Sequence, residues 1–378
     1  MKWIHLSDLH LGKKLYEFSL IEDQEYILNQ ILEVIDEQEV EGVLLAGDIY
    51  DKPVPPADAV MLFDRFLTEL SDRKREVFVI SGNHDSRERL SFGSKIMEKG
   101  GIHLAPVFSG EILPEIVEDE YGKINVWMMP FLKPADVRHR FAQEDIQGYN
   151  DAVKAVIRHM NPDSTQRNIL VAHQFVTGAE RSDSEDVSVG GLDNIDASAF
   201  EAFDYTALGH IHSPQQIAGI CGRYCGTPLK YSFSEVRQVK SALIVDMREK
   251  GDVRFEEIPL VPLREMREIR GTYEELTSLK NYAGTNTSDY LHITLTDEED
   301  VHDALGRLRT IYPNIMLLDY DNMRTRSGGT LEIPAEAEKK SETELFGELF
   351  EMQNGRAMEE EEKRYISALL ERIREEMI

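Results

Sequence analysis

Nine residues in five short motifs carry the chemical potential of this chain. They are Asp8 and His10 in Asp8-Leu9-His10, Asp48 after Gly47, and Asn83, His84 and Asp85 in Gly82-Asn83-His84-Asp85, then His173, and His210 and His212 in Gly209-His210-Ile211-His212. Carboxylates, imidazoles and one amide, with no thiolate among them, make a mixed nitrogen–oxygen donor set. Such a set suits manganese, iron or zinc, not copper(I) or an iron–sulfur cluster. Two hydrolytic metals sit about 3.5–4 Å apart and need a bridging ligand. Asp48, on a strand-to-loop turn, is the natural bridge. Asp8 and His10 are spaced i, i+2, which in a strand puts both side chains on one face and lets them ligate one metal together. His210 and His212 repeat that spacing and could serve one metal or divide between two. Asn83 offers a carbonyl oxygen. His84, next to it on the same turn, points elsewhere and is free to protonate a leaving oxygen or stabilise transition-state charge, with Asp85 placed to orient its ring. The chemistry this set predicts is attack on phosphorus by a metal-activated water.

Such residues are useful only if the chain gathers them. Each motif follows an apolar, β-rich run: Trp3–Leu6, Gly42–Leu45, Val77–Ile80, Ile169–Ala172 and Tyr205–Leu208. If these runs are neighbouring strands, their ends meet at one edge of a sheet. Helical periodicity appears over 22–39, 57–70 and 151–160, and further strands are predicted at Ile124–Met129 and Ala242–Val245. Strand–helix alternation with buried runs indicates an α/β layered domain over residues 1–260. The polar, glycine-bearing segment 177–194 reads as a loop near the site, because it follows His173. The other histidines (His5, His103, His139, His159, His292 and His302) lack such context and read as structural or surface residues.

A boundary is predicted near Pro259–Pro262. Residues 263–326 then read as a small α+β unit, with strands near 265–270, at Tyr290–Leu295 and at Ile315–Asp319, and a helix near 298–310. Residues 327–343 read as a linker. Residues 344–378 hold two amphipathic helices, one lined by Leu345, Phe346, Leu349, Phe350 and Met352, the other by Ile366, Leu369, Leu370, Ile373 and Met377. A pair this small must dock on its own protein or on a partner.

The chain has 378 residues and a net charge of −28, spread along its length. That balance argues against tight unaided binding to DNA, although a metal pair adds local positive charge. Cys221 and Cys225 cannot complete a zinc site alone and read as reduced strand cysteines. With no signal-peptide pattern and no apolar run long enough to span a membrane, a cytoplasmic protein is expected.

The ordered motif set resembles the calcineurin-like metallophosphoesterase superfamily. Asp48-Ile49-Tyr50-Asp51-Lys52-Pro53, Gly82-Asn83-His84-Asp85-Ser86 with Glu88-Arg89-Leu90, and Gly226-Thr227-Pro228 leading to Ser232-Phe233-Ser234-Glu235 are similar to its SbcD-type nuclease family. Phosphatases of the superfamily carry Asp-Arg-Gly and Gly-Asn-His-Glu where this chain has Asp51-Lys52-Pro53 and Asp85, which favours the nuclease branch. The resemblance implies a layered β-sandwich metallophosphoesterase domain flanked by helices, an α+β capping domain, and C-terminal helices that dock on an SbcC-type coiled-coil ATPase. It also implies two divalent metals, manganese preferred. Asp8, His10, Asp48 and His212 would hold one, and Asp48, Asn83, His173 and His210 the other; His84 would be catalytic, with Asp85 behind it. The implied activity is exonuclease action on duplex DNA ends and endonuclease action on hairpins and single strands, by a homodimer within a heterotetramer. Arg87 and Arg89 would either touch DNA phosphates or be exposed helix-start charges. The alternatives are a stand-alone phosphoesterase acting on nucleotides or phosphoproteins, and a DNA-end-tethering scaffold with a dispensable metal site.

Overall fold

The computed structural model describes residues 1–180, 183–185, 194–299, 301–323, 325, 345–347, 349–351, 356–360, 362–367 and 369. The chain divides into two units, Met1–Met266 and Arg267–Ile378.

The strands run in chain order as β1 (Lys2–Leu6), the short pair β2 (Lys14–Leu15) and β3 (Phe18–Ser19), β4 (Gly42–Ala46), β5 (Glu76–Ile80), β6 (Ile102–Ala105), β7 (Glu115–Asp119) and β8 (Gly122–Met129). They continue as β9 (Arg167–His173), β10 (Tyr205–Gly209), β11 (Gln215–Ile217), β12 (Gly222–Tyr224), β13 (Ser241–Met247), β14 (Val253–Pro259), β15 (Met266–Gly271), β16 (Tyr290–Leu295) and β17 (Ile315–Tyr320). The first unit holds two six-stranded sheets, ordered β14-β13-β1-β4-β5-β6 and β11-β12-β10-β9-β8-β7. The strands that lead into the motifs are parallel neighbours: β1 with β4, β4 with β5, and β9 with β10. Their carboxyl ends therefore lie at one edge, where α/β sheets bind their ligands.

The period-two alternation of side chains divides the buried surface. Trp3, Leu44 and Phe78 from one sheet pack with Val126, Ile169, Val171 and Ala207 from the other in the layer between them. The intervening residues Trp127, Leu170, Ala172 and Leu208 face the helix Tyr149–Met160 through Val153, Val156 and Met160. Because both faces are covered, β4 and β10 are buried at every position, which explains their unbroken apolar runs. The helices Ile21–Glu37 and Ala57–Asp72 bury the stripes that their periodicity predicts, including Ile27, Ile31, Leu62 and Phe66. The two cysteines are free and flank β12 instead of lying within a strand.

The second unit is a three-stranded sheet, β15-β16-β17, with β16 and β17 parallel. Leu291, Ile293 and Leu295 pack with Leu308, Tyr312 and Ile315. The joining helix is shorter than its apolar pattern suggests, Ala304–Arg309, and follows Asp303 in a left-handed conformation, φ 48°. Residues 327–343 lie outside the described residues. Of the C-terminal segment, 345–347, 349–351 and 362–367 are helical, while Met352, Leu370, Ile373 and Met377 are outside the description. Phe346, Phe350, Met358, Tyr365 and Ile366 line a cavity of about 560 Å³. Among the described residues no helix is long and apolar enough to cross a membrane.

Candidate metal centre

The first loop of the site continues the β1–β4 pairing beyond both strands. Asp8 N–H donates to the Gly47 carbonyl at 3.0 Å, His10 N–H to Asp48 at 3.0 Å, and Leu11 N–H to Ile49 at 2.9 Å. Asp8 and His10 are not in a strand, however, so the expectation that a shared strand face pairs them fails. Both take left-handed conformations, φ 53° and 44°, as does Asp48 at 50°. These turns, which Asp and His tolerate better than most residues, bring the side chains together. Gln24 fixes the loop from the helix Ile21–Glu37, donating to the His10 carbonyl at 2.8 Å and accepting Gly12 N–H at 2.9 Å.

Asp48 is the centre. Its Oδ2 lies 3.4 Å from His173 Nε2, 3.7 Å from His10 Nε2 and 3.9 Å from His84 Nε2, and its Oδ1 accepts the His84 backbone N–H at 2.9 Å. His10 Nε2 is 3.2 Å from His212 Nε2, and single ligand atoms of Asp8, His10 and His212 lie within 4.8 Å of one another. The same holds for Asp8, Asp48 and His173. On the other side, Asn83 Oδ1 lies 3.0 Å from both His173 Nε2 and His210 Nδ1, and His210 N–H donates to the Asp8 carboxylate at 3.1 Å. All seven candidate ligands thus converge, from strand ends and loops of both sheets.

His84 stands among them, partly exposed, with Nδ1 at 3.0 Å from the Asp51 carbonyl. Asp85 has a different position from the one expected. Its carboxylate accepts backbone N–H groups from Ile49 at 3.1 Å, Tyr50 at 3.0 Å and Gly82 at 2.9 Å. It staples the Asp48 loop to the Asn83 turn, and the Asp51 carbonyl faces the His84 ring nitrogen that Asp85 was expected to orient. Arg87 is engaged within the fold, donating to Asp136 at 2.6 Å and to the Phe131 carbonyl at 2.9 Å, whereas Arg89 is exposed.

Burial and charge set opposing protonation states. Burial drives His10 and His212 well below the usual histidine range, leaving neutral rings with lone pairs to donate. Burial also pulls His173 down, but the Asp48 carboxylate outweighs it and holds that ring at about 9. Asp48 itself is held well below the carboxylate range, the histidine charges overcoming burial, while burial lifts Asp8 to about 7. His173 Nδ1–H donates to the Ala46 carbonyl at 2.7 Å, so the proton its raised affinity retains sits on Nε2, between the ring and two oxygens, and leaves a lone pair there only when it departs. Nitrogen and oxygen lone pairs brought this close repel until a proton or a cation lies between them. The donor set therefore fits divalent cations.

Several supporting residues were not expected from the sequence. Tyr231 donates to the Leu9 carbonyl at 2.5 Å, and its ring meets His10 edge-on at 5.7 Å. Lys13 pairs with Asp51 at 2.7 Å. Ser184, Glu185, Glu235 and Lys240 surround His212. The polarity of 177–194 and the Ser232–Glu235 motif were the only sequence signals toward this group.

The chain is similar to known proteins. Residues 1–214 match the Calcineurin-like phosphoesterase family, and residues 262–354 match the SbcD C-terminal family, described as Type 5 capsule protein repressor C-terminal domain. The SbcD subunit of the SbcCD nuclease from Staphylococcus epidermidis is 34% identical over 324 residues, 84% of this chain and 85% of that protein. Among solved structures, a dimetal phosphatase from Danio rerio aligns with a TM-score of 0.41 at 12% identity, covering 69% of this chain and 99% of the other. The chain belongs to the calcineurin-like phosphoesterase family and, within it, to the SbcD nuclease subunits, metal-dependent hydrolases of phosphodiesters.

Proposed function

We propose that this protein is a manganese-dependent DNA nuclease subunit, an exonuclease on duplex ends and an endonuclease on hairpins and single strands, that works with an SbcC-type coiled-coil ATPase. The observation that carries the reading is the convergence of imidazoles and carboxylates on Asp48. Asp8, His10, Asp48 and His212 would hold one cation and Asp48, Asn83, His173 and His210 the other, with Asp48 shared. When bound, the cations supply Lewis acidity toward the phosphate and lower the pKa of a water enough for attack at neutral pH. The chain's own groups do the rest. The Asp51 carbonyl accepts Nδ1–H of His84, which fixes the ring and turns Nε2 toward the site, from where it would deliver a proton to the leaving oxygen. Asp85 keeps the two loops in register around Asp48.

Residues 1–260 form the nuclease domain in this reading, 263–326 the cap, 327–343 the linker and 344–378 the docking segment. Exposed apolar side chains at Phe346 and Tyr365 support docking in the C-terminal segment. Phe92 and Ile96, beside the catalytic turn, are 85% and 78% exposed and support a homodimer within a heterotetramer. The ATPase would supply much of the DNA grip that a chain of charge −28 lacks. The compartment is the cytoplasm.

The test is cleavage by the purified protein with Mn²⁺ on hairpin DNA, linear duplex and a generic phosphodiester, with and without the ATPase. Cleavage of hairpins and duplex ends, stimulated by the ATPase, is the expected result. Turnover of the generic ester alone would make the protein a stand-alone phosphoesterase. DNA tethering without cleavage would make it a scaffold.

A further inference from the structure

The loop after β9 lays three consecutive residues against His212 and its neighbours. Asp183 N–H donates to Ser234 Oγ at 3.3 Å, Ser184 Oγ lies 2.5 Å from His212 Nδ1, and Glu185 Oε1 accepts the His212 backbone N–H at 2.6 Å. The Ser184 hydroxyl donates in turn to Glu235 Oε1. Glu235 is fully buried; its other oxygen pairs with Lys240 Nζ at 2.6 Å, and Lys240 Nζ donates to the His212 carbonyl at 2.9 Å.

Counting protons along this chain of contacts decides the state of the ring. A hydroxyl has one proton, and a carboxylate paired with a lysine only accepts. The Ser184 proton is therefore directed to Glu235, so Ser184 Oγ accepts from His212, and Nδ1 of that ring carries its hydrogen. Nε2 is then the bare nitrogen, and it faces the site at 3.2 Å from His10 Nε2. The backbone of the same residue is gripped on both sides, N–H by Glu185 and carbonyl by Lys240. The ring is thus fixed in tautomer and in direction by residues that do not enter the site.

We infer that Ser184 and Glu235 are positioning residues that hold His212 as the Nδ1–H tautomer and present Nε2 to one of the two metal positions. The inference rests on the reading of His212 as a ligand. It also accounts for the loop after His173, whose residues complete a ligand from outside the motifs. Partners of this kind fix both the tautomer and the basicity of a ligating imidazole, and their loss costs about 10–100-fold in metal affinity.

The experiment compares the full-length protein with Ser184→Ala, Ser184→Thr and His212→Ala. Mn²⁺ binding is followed by calorimetry, and the His212 ring tautomer by ¹⁵N NMR of the metal-free protein. In Ser184→Ala one Mn²⁺ is expected to weaken by about 10–100-fold while the other keeps its affinity, with the Nδ1–H tautomer no longer dominant. Ser184→Thr, which keeps the hydroxyl, restores both. Wild-type affinities, an unchanged tautomer in Ser184→Ala, or equal weakening of both metals would overturn the relay. If His212→Ala still binds two Mn²⁺ normally, the ligand assignment itself fails. If it loses one while Ser184→Ala loses none, the assignment stands and only the relay falls.

Discussion

Gly209 at the end of β10 lies against β4 of the other sheet, and replacing it with alanine tests whether that close approach builds the site. A Cβ at this position would lie 2.0 Å from the Ala46 carbonyl oxygen and 2.8 Å from His173 Nδ1. Those two atoms share the 2.7 Å hydrogen bond that orients the His173 ring. The alanine must push β10 and β4 apart by more than an ångström or break that bond. Overpacking costs about 1–3 kcal/mol, and a buried carbonyl left without its donor about 1–3 kcal/mol more. The expected loss is about 2–6 kcal/mol in urea unfolding, against a typical domain stability of about 5–15 kcal/mol. The folded variant should bind one Mn²⁺ about 10–100-fold more weakly, because His173 no longer has a fixed ring. Gly148→Ala is the control, since its added Cβ meets nothing within 4 Å. A Gly209→Ala protein with unfolding and Mn²⁺ binding indistinguishable from wild type would show that the seam tolerates separation and would refute the reasoning.

Other expectations concern single residues and the docking segment. Replacing Asp48 with alanine should weaken both metals together, and calorimetry that still counts two would remove it as the bridge. His84→Gln should keep both metals and slow DNA cleavage by about 10²–10⁴-fold; near-normal turnover would take His84 out of the proton transfer. Deleting residues 340–378 should end co-purification with the ATPase while Mn²⁺-dependent cleavage persists. Asp119 gives a pH test away from the site. Burial alone would raise it, but Arg167 and the terminal ammonium hold it at about 2, below its ordinary 3.8. A depressed acid stabilises the fold above pH ~4 and loses that contribution as pH falls toward 2, here about 2 kcal/mol. Asp119→Asn should therefore flatten the acid limb of the stability profile in that window, as urea midpoints between pH 5 and 2.5 would reveal.

The convergence of the candidate ligands was legible because burial on both faces forces continuous apolar runs whose ends meet at one edge. Position in sequence therefore brought Asp48, Asn83 and His173 to one region without any knowledge of contacts. The conformation of Asp8 and His10 was not legible. An i, i+2 spacing is equally compatible with a strand and with consecutive left-handed turns, and only the backbone distinguishes them. Asp85 was misread for a similar reason. Adjacency to His84 suggests a partner for the ring, but the carboxylate turns toward three backbone donors brought in by the Asp48 loop. The surroundings of His212 come from residues 183–185, 235 and 240, which no local pattern connects to it. The short strands β6, β11 and β12 have too few residues for a periodicity to register.

The division of ligands between the sheets has a consequence for the chain during its own synthesis. Asp8, His10, Asp48 and Asn83 come from loops of the first sheet, and His173, His210 and His212 from the second. Neither sheet alone can assemble either of the proposed metal positions, and the last contributor, His212, emerges after more than half of the polypeptide. The first sheet by itself brings ligand atoms of His10, Asp48 and His84 within 4.8 Å of one another, but His173, His210 and His212 join them only from the second. The full candidate set is therefore complete only when the two sheets have packed together, so the order of sheet assembly, not local folding of any one loop, sets when the site can form.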